Sequence, residues 1–291
     1  MLNNSQAADI YRYKERASAK VIAVTSGKGG VGKTNVAANV AIALASDHTN
    51  VMLLDADLSL ANVDVLLGLQ PRFNLSHVVN GEADLESTII GGPRNVRIVP
   101  ASSGNFSMTD LPAASQATII QAFSDLAVSP EILVVDTASG ISESVARFVQ
   151  AAQEAVIVVC NEPASITDAY ALIKVFSRNY GISRFQVVTN QTCSAQEGNE
   201  LYSKLVRVTD QYLDVVLRHL GDVPHDGYLR KAVQEQKAVV DAYPRSSAGQ
   251  AFKQIAQKLH MLPEPRGASG NIQFFFEQLL GADQTSKRRY A

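Results

Sequence analysis

An α/β fold, with a mostly parallel central sheet flanked by helices on both faces, is what this 291-residue sequence predicts. Three observations predict it. Short continuous apolar runs recur along the chain, amphipathic stretches of helical length separate them, and a glycine-rich segment joins the first run to the first helix. The runs are VIAV (21–24), VMLL (51–54), VRIVP (96–100), EILVVD (131–136), AVIVVC (155–160), FQVVTN (185–190) and HLGDVP (219–224). They are rich in Val and Ile with little polar alternation, which suits strands buried on both faces. Helices are expected over 33–46, 114–127, 141–152, 165–179, 196–213 and 247–260. Strand alternating with helix implies right-handed crossovers and places ligand chemistry at the carboxyl ends of the strands.

Composition narrows the classes. Lys+Arg 26 against Asp+Glu 28 leaves a net charge of −2, which excludes coating nucleic acid by bulk charge, although not a local basic patch. Cys160 and Cys193 are isolated and form no CxxC, so a disulfide scaffold, a Cys-rich zinc site and a cysteine-ligated cluster within one chain do not fit. His48, His77, His219, His225 and His260 show no HxxxH spacing. No apolar run approaches the ~20 residues that cross a bilayer, and the first twenty residues lack the apolar core of a signal peptide. The expectation is a soluble protein of a reducing compartment. Residues 1–19 read as an extension, 20–261 as one domain, 262–270 (LPEPRGASG) as a linker, and 271–291 as a C-terminal segment.

The first run leads through Gly27-Lys28-Gly29-Gly30-Val31-Gly32-Lys33-Thr34 into an Ala-rich helix. This is GxxxxGK[ST] in the strand–loop–helix context that the motif requires. Glycines let backbone N–H groups turn inward around a phosphate, and the following helix adds its positive end. Lys33 would reach the β- and γ-phosphates, and the Thr34 hydroxyl would ligate Mg²⁺. Lys28 is a second loop lysine for which an ordinary phosphate loop has no need. It could contact phosphate in its own subunit, reach a nucleotide held by a facing subunit, or be solvated.

Carboxylates close two of the runs. VMLL continues into Asp55-Ala56-Asp57. One of this pair could hold Mg²⁺ through water while the other orients an attacking water; equally, the pair could cap a helix. EILVVD ends in Asp136, the Walker-B pattern of an apolar strand that delivers a carboxylate to Mg²⁺. Two later strand ends read as a base-binding wall or as turn chemistry. Asn190 offers an amide that both donates to and accepts from an adenine edge. Pro224, His225 and Asp226 could flank the ring.

The loop with its extra lysine, the DAD segment, the DTASG strand end and the late strand ends resemble the deviant-Walker-A ATPases of the MinD/ParA type. The resemblance covers about residues 20–261 and implies a P-loop fold, ATP and Mg²⁺, and two subunits that enclose two ATP molecules face to face. By that resemblance Lys28 is the lysine that reaches the partner's phosphates, and Asp57 positions water. Lys33 and Thr34 are the Walker-A pair, Asp55 and Asp136 stand on the Mg²⁺ side, and Asn190 reads adenine. DADLSLANVDVLLGL (55–69), ASSG (101–104), QAFSDL (121–126), NEPASITDAYALIK (161–174) and FFFEQLL (274–280) most resemble the branch that regulates flagellar number. That branch implies an SRP-type flagellar GTPase (FlhF), flagellar switch proteins and a master transcription activator as partners; the −2 charge balance and the aromatic tail argue against direct nucleic-acid binding. Its N-terminal DQAxxLR motif is only partly kept at Ser5–Arg12, which retains QA and the arginine.

On a helix, Ile272, Phe275, Phe276, Leu279 and Leu280 form one apolar face. Lys287, Arg288 and Arg289 follow, each worth about 1 kcal/mol near anionic lipid. One such helix holds a membrane weakly, whereas two in a dimer gain roughly 10²–10⁴ in avidity. The face thus reads as a peripheral anchor on the inner face of the cytoplasmic membrane, switched by ATP-driven dimerisation. Alternatively the helix docks on its own domain, and the two states could alternate with the nucleotide. A cell-division-site ATPase shares this chemistry. A DNA-partitioning ATPase would need a salt-sensitive DNA contact, and a small-molecule kinase a second substrate.

Overall fold

A computed structural model describes residues 19–45, 49–57, 62–101, 111–263 and 272–281. The 1–19 extension up to residue 18, with its Ser5–Arg12 motif, lies outside the described residues, as do His48, linker residues 264–270 and the basic tail. The seven apolar runs become β1 (Lys20–Ser26), β2 (Val51–Ala56), β4 (Arg97–Val99), β5 (Ile132–Ser139), β6 (Glu154–Cys160), β7 (Arg184–Thr192) and β8 (Val216–Pro224). A two-residue strand that the runs do not announce, β3 (Ile90–Gly91), completes the sheet. Its order is β3-β4-β2-β5-β1-β6-β7-β8, parallel except for the β3–β4 pair. All six residues of β2 are buried, as are six of the seven in β1 and in β6. That is the cause of their unbroken hydrophobicity, since a strand covered on both faces has no solvent side to mark with polar residues.

Helices cover both faces as expected. On one, α1 (Lys33–Leu44) packs over Ile22, Val24 and Val134. Also on this face lie the short α2 (Val63–Leu67), and later α9 (Gly227–Gln234), α10 (Val239–Ala242) and α11 (Ser247–His260). The other face is covered by α3 (Leu75–Val79), α4 (Leu85–Thr88) and α5 (Ala113–Ser124), then α6 (Glu143–Ala151), α7 (Pro163–Tyr180) and α8 (Ala195–Tyr212). The short helices α2–α4, α9 and α10 span too few turns for a 3.6-residue period to show in sequence.

The last described helix, α12 (Ile272–Gly281), lies against α5 and α6. Ile272, Phe275, Phe276, Leu279 and Leu280 are each no more than 2% exposed. They share one hydrophobic cluster with Ile119, Phe123, Leu133 and Phe148. The structure thus holds the docked arrangement of this amphipathic face.

Register positions the site. Asp55 of β2 stands beside Asp136 of β5, and Val24 of β1 beside Asp136 on the other side. Both carboxylates therefore arrive at the carboxyl end of the sheet, where β1 hands over to the glycine-rich loop.

Candidate active site

Close packing shapes the loop. Gly32 precedes α1 with φ 87°, in the left-handed region. A Cβ there would lie 2.3 Å from Asn190 Nδ2, and one on Gly27 would lie 2.3 Å from the Asp168 carbonyl carbon in α7. Only glycine satisfies either position. Asn190 Nδ2 donates to the Val31 carbonyl at 2.7 Å, and Gln191 Nε2 to the Gly30 carbonyl at 3.5 Å. The end of β7 thus holds the loop in shape. No side chain caps the start of α1, so its first N–H groups remain for an anion.

Behind the loop sits a buried charge cluster. Lys33 Nζ is 2.8 Å from Asp136 Oδ1 and 3.8 Å from Asp57 Oδ2. Asp136 is wholly buried, and its Oδ2 has no hydrogen-bond partner. Burial pushes the Asp136 pKa up, with the Lys33 charge opposing it. Burial also raises Asp55, to about 7, with the nearby Asp136 charge adding to the effect. Three backbone donors pull the other way: Asp57 N at 3.1 Å, Asn62 N at 3.2 Å and Val63 N at 3.2 Å. Asp55 therefore also caps the start of α2, the alternative the sequence left open.

These donors suit Mg²⁺. Thr34 and the unpartnered Asp136 oxygen supply hard oxygen ligands beside the phosphate loop, and Mg²⁺ prefers one or two protein oxygens with phosphate and water completing its shell. Both Asp55 oxygens are engaged by the backbone, so its contribution would run through water. Among the described residues no three His, Cys, Asp or Glu side chains converge as a metal cage.

A cavity of about 800 Å³ opens above the loop. Gly29, Gly30, Gly32, Lys33, Thr34 and Asp57 line it, as the loop motif and the Asp55-Ala56-Asp57 strand end predict. Asn35, Val65, Ser139, Gln191, Val233 and Gln236 also line it and were not legible as site residues. Val65 and Val233 present apolar surface, 60% and 38% exposed, and Gln236 Nε2 ties the two walls by donating to the Val65 carbonyl at 3.1 Å. Asn35, Val65, Ser139 and Gln191 lie in or beside segments that the sequence singles out, whereas nothing in the sequence marks Val233 or Gln236.

Other predicted residues stand outside the cavity lining. Asp226 caps α9 through Tyr228 N at 2.8 Å and also accepts from Ala248 N at 2.8 Å, which is turn chemistry. Pro224 pairs with Thr192 at the end of β8, and His225 N donates to the Thr192 carbonyl at 2.8 Å. Lys28 is not part of the cavity lining and forms an ion pair with Glu162.

Fold and site together define a P-loop nucleotide-binding protein. The ParA family model, described as a NUBPL iron-transfer P-loop NTPase, matches residues 17–260, and the chain belongs to this ParA/MinD family of ATPases. The antiactivator FleN of Pseudomonas aeruginosa is 55% identical over 90% of this chain and 93% of its own length. The flagellum site-determining protein YlxH of Helicobacter pylori is 34% identical over 84% of this chain and 83% of its own. Among solved structures, MinD in the MinC:MinD cell division complex of Aquifex aeolicus is 26% identical, with a TM-score of 0.64 over 87% of this chain and all of that one. The septum site-determining MinD of Pyrococcus horikoshii, complexed with Mg-ADP, has a TM-score of 0.65 at 24% identity, covering 87% of this chain and all of its own. The resemblance to the flagellar branch of the family is borne out. No helix among the described residues is long and apolar enough to cross a membrane.

Proposed function

We propose that the chain is an ATP-hydrolysing dimerisation switch that restrains flagellar number and sets flagellar placement, cycling between cytoplasm and the inner face of the cytoplasmic membrane. The 55% identity to an antiactivator over nearly the whole chain carries the flagellar part of the reading. The loop, Lys33 and the Asp136 cluster carry the ATP part.

The loop N–H groups and the start of α1 bind the phosphates, and Lys33 moves from Asp136 to the β- and γ-phosphates. Thr34 and Asp136 would hold Mg²⁺, with Asp55 acting through water, and the ion would neutralise phosphate charge that develops during transfer. Asp57, in the cavity wall, orients the attacking water. Asn190 Oδ1 is buried without a partner, which leaves it able to accept from the adenine amino group. Pro224 borders that strand end, while Asp226 keeps its capping bonds. Lys28 reaches across to the partner's nucleotide.

In this cycle α12 is docked in the monomer and released when ATP closes the dimer. Ile272, Phe275, Phe276, Leu279 and Leu280 then enter the lipid interface as a pair of anchors. An SRP-type flagellar GTPase, switch proteins and a transcription activator are the partners that would read the two states.

Flagella counted per cell test the reading. Cells whose only copy carries Lys33→Ala are expected to overproduce flagella; a count unchanged from wild type overturns the proposal.

A further inference from the structure

Lys28 and Glu162 meet at the carboxyl end of the sheet, one in the phosphate loop and the other at the residue before α7. Their side chains are 39% and 54% exposed. The backbone beneath them is fixed. Gly27 is pressed against the Asp168 carbonyl, and Ser26 Oγ donates to the Lys28 carbonyl at 2.9 Å. What can change is therefore the lysine side chain, a flexible four-carbon stem ending in a compact charge. The hydrogen bond and charge of Glu162 hold the lysine pKa above its ordinary value, with Asp168 adding a smaller contribution.

We infer that Glu162 is a positioning residue that keeps the Lys28 ammonium within its own subunit, so that the phosphates of a facing subunit must displace a carboxylate before the dimer closes. This rests on the reading above, in which Lys28 acts across the dimer. Competition of this kind discriminates between nucleotides. A triphosphate carries one phosphate, and about one unit of negative charge, more than a diphosphate, so ATP displaces Glu162 where ADP fails. Exposed pairs are weak, about threefold in an equilibrium each. Two break per dimer and lie in separate subunits, so their effects multiply to about tenfold.

Glu162→Gln keeps the size and removes the charge. Dimer dissociation constants are measured by analytical ultracentrifugation, with a non-hydrolysable ATP analogue and with ADP, for wild type, Glu162→Gln, Lys28→Ala and the double variant. Glu162→Gln is expected to tighten the analogue-bound dimer about tenfold and to give measurable dimer in ADP, without changing the monomer's affinity for ADP. The double variant is expected to behave as Lys28→Ala alone, because Glu162 acts only through the lysine. Equal dimer constants for wild type and Glu162→Gln, with Lys28→Ala still monomeric, overturn the role of Glu162 and spare that of Lys28. Dimerisation of Lys28→Ala at the wild-type level instead overturns the reading of Lys28 itself. An altered ADP affinity in Glu162→Gln also overturns the inference, since it marks a distorted loop.

Discussion

Phe276 of α12 stacks on Phe123 of α5, with ring centroids 3.8 Å apart and planes inclined by 22°. Both rings are fully buried, so the apolar face of the last helix and the groove that receives it are complementary surfaces. Truncating the groove side frees the helix without altering it. Phe123→Ala should cost about 3 kcal/mol or more in stability. It should also raise amide exchange over 272–281 and bring liposome binding even in ADP. Unchanged exchange in that helix would show that other contacts hold it.

Lys33 is the second test. It neutralises two carboxylates in the nucleotide-free chain, and removing one partner of a buried pair leaves the other charge stranded, at about 3–5 kcal/mol. Asp136 can relieve part of that by taking a proton, because burial already raises its pKa. Lys33→Ala should therefore abolish nucleotide binding and lower the urea midpoint, and adding Asp136→Asn should restore much of the midpoint but none of the binding. Calorimetric ATP affinity equal to wild type would refute the loop assignment.

Asp57→Ala should separate binding from chemistry. Its carboxylate is 3.8 Å from Lys33, farther than Asp136, and it faces the cavity. ATP binding should persist within a few-fold, turnover should fall by at least 10², and dimers should accumulate in ATP. Phosphate release at the wild-type rate would move the water-orienting role elsewhere.

A pH effect follows from His219, far from the phosphates. Its Nε2 is 3.0 Å from Thr189 Oγ1, and its ring stacks on Tyr202 at 4.7 Å. Burial lowers its pKa below the ordinary imidazole value; the Asp222 charge opposes this, and the Lys258 charge adds to it. The unfolded chain therefore takes up a proton near pH 6.5 that the native ring resists, so the His219 contribution to stability falls as pH drops through that value. Asp55, raised to about 7, contributes the opposite trend with or without His219. Urea midpoints at pH 7.5 and 5.5 should show a smaller fall in His219→Gln than in wild type. An equal fall would place the titration elsewhere.

How much was legible in sequence follows from how local each feature is. The long strands and the phosphate loop are written in contiguous residues, and Asp136 is announced by its own apolar strand. Val65, Val233 and Gln236 reach the cavity only because α2 and the end of α9 converge from positions some 170 residues apart. No window of sequence contains that meeting. Asp226 looked like a base-flanking residue because strand ends invite ligands, yet its oxygens are taken by Tyr228 and Ala248 backbone donors. The amphipathic face of 272–280 was visible, but its periodicity is the same whether lipid or the cluster around Phe123 covers it.

The central claim is that ATP converts a docked helix into a membrane anchor, and liposome co-sedimentation tests it most directly. Asp57→Ala, with and without residues 271–291, is sedimented with anionic vesicles in ADP and in ATP. Sedimentation in ATP alone, lost with the tail, is the expected result. Equal sedimentation in both nucleotides, or none in either, contradicts it.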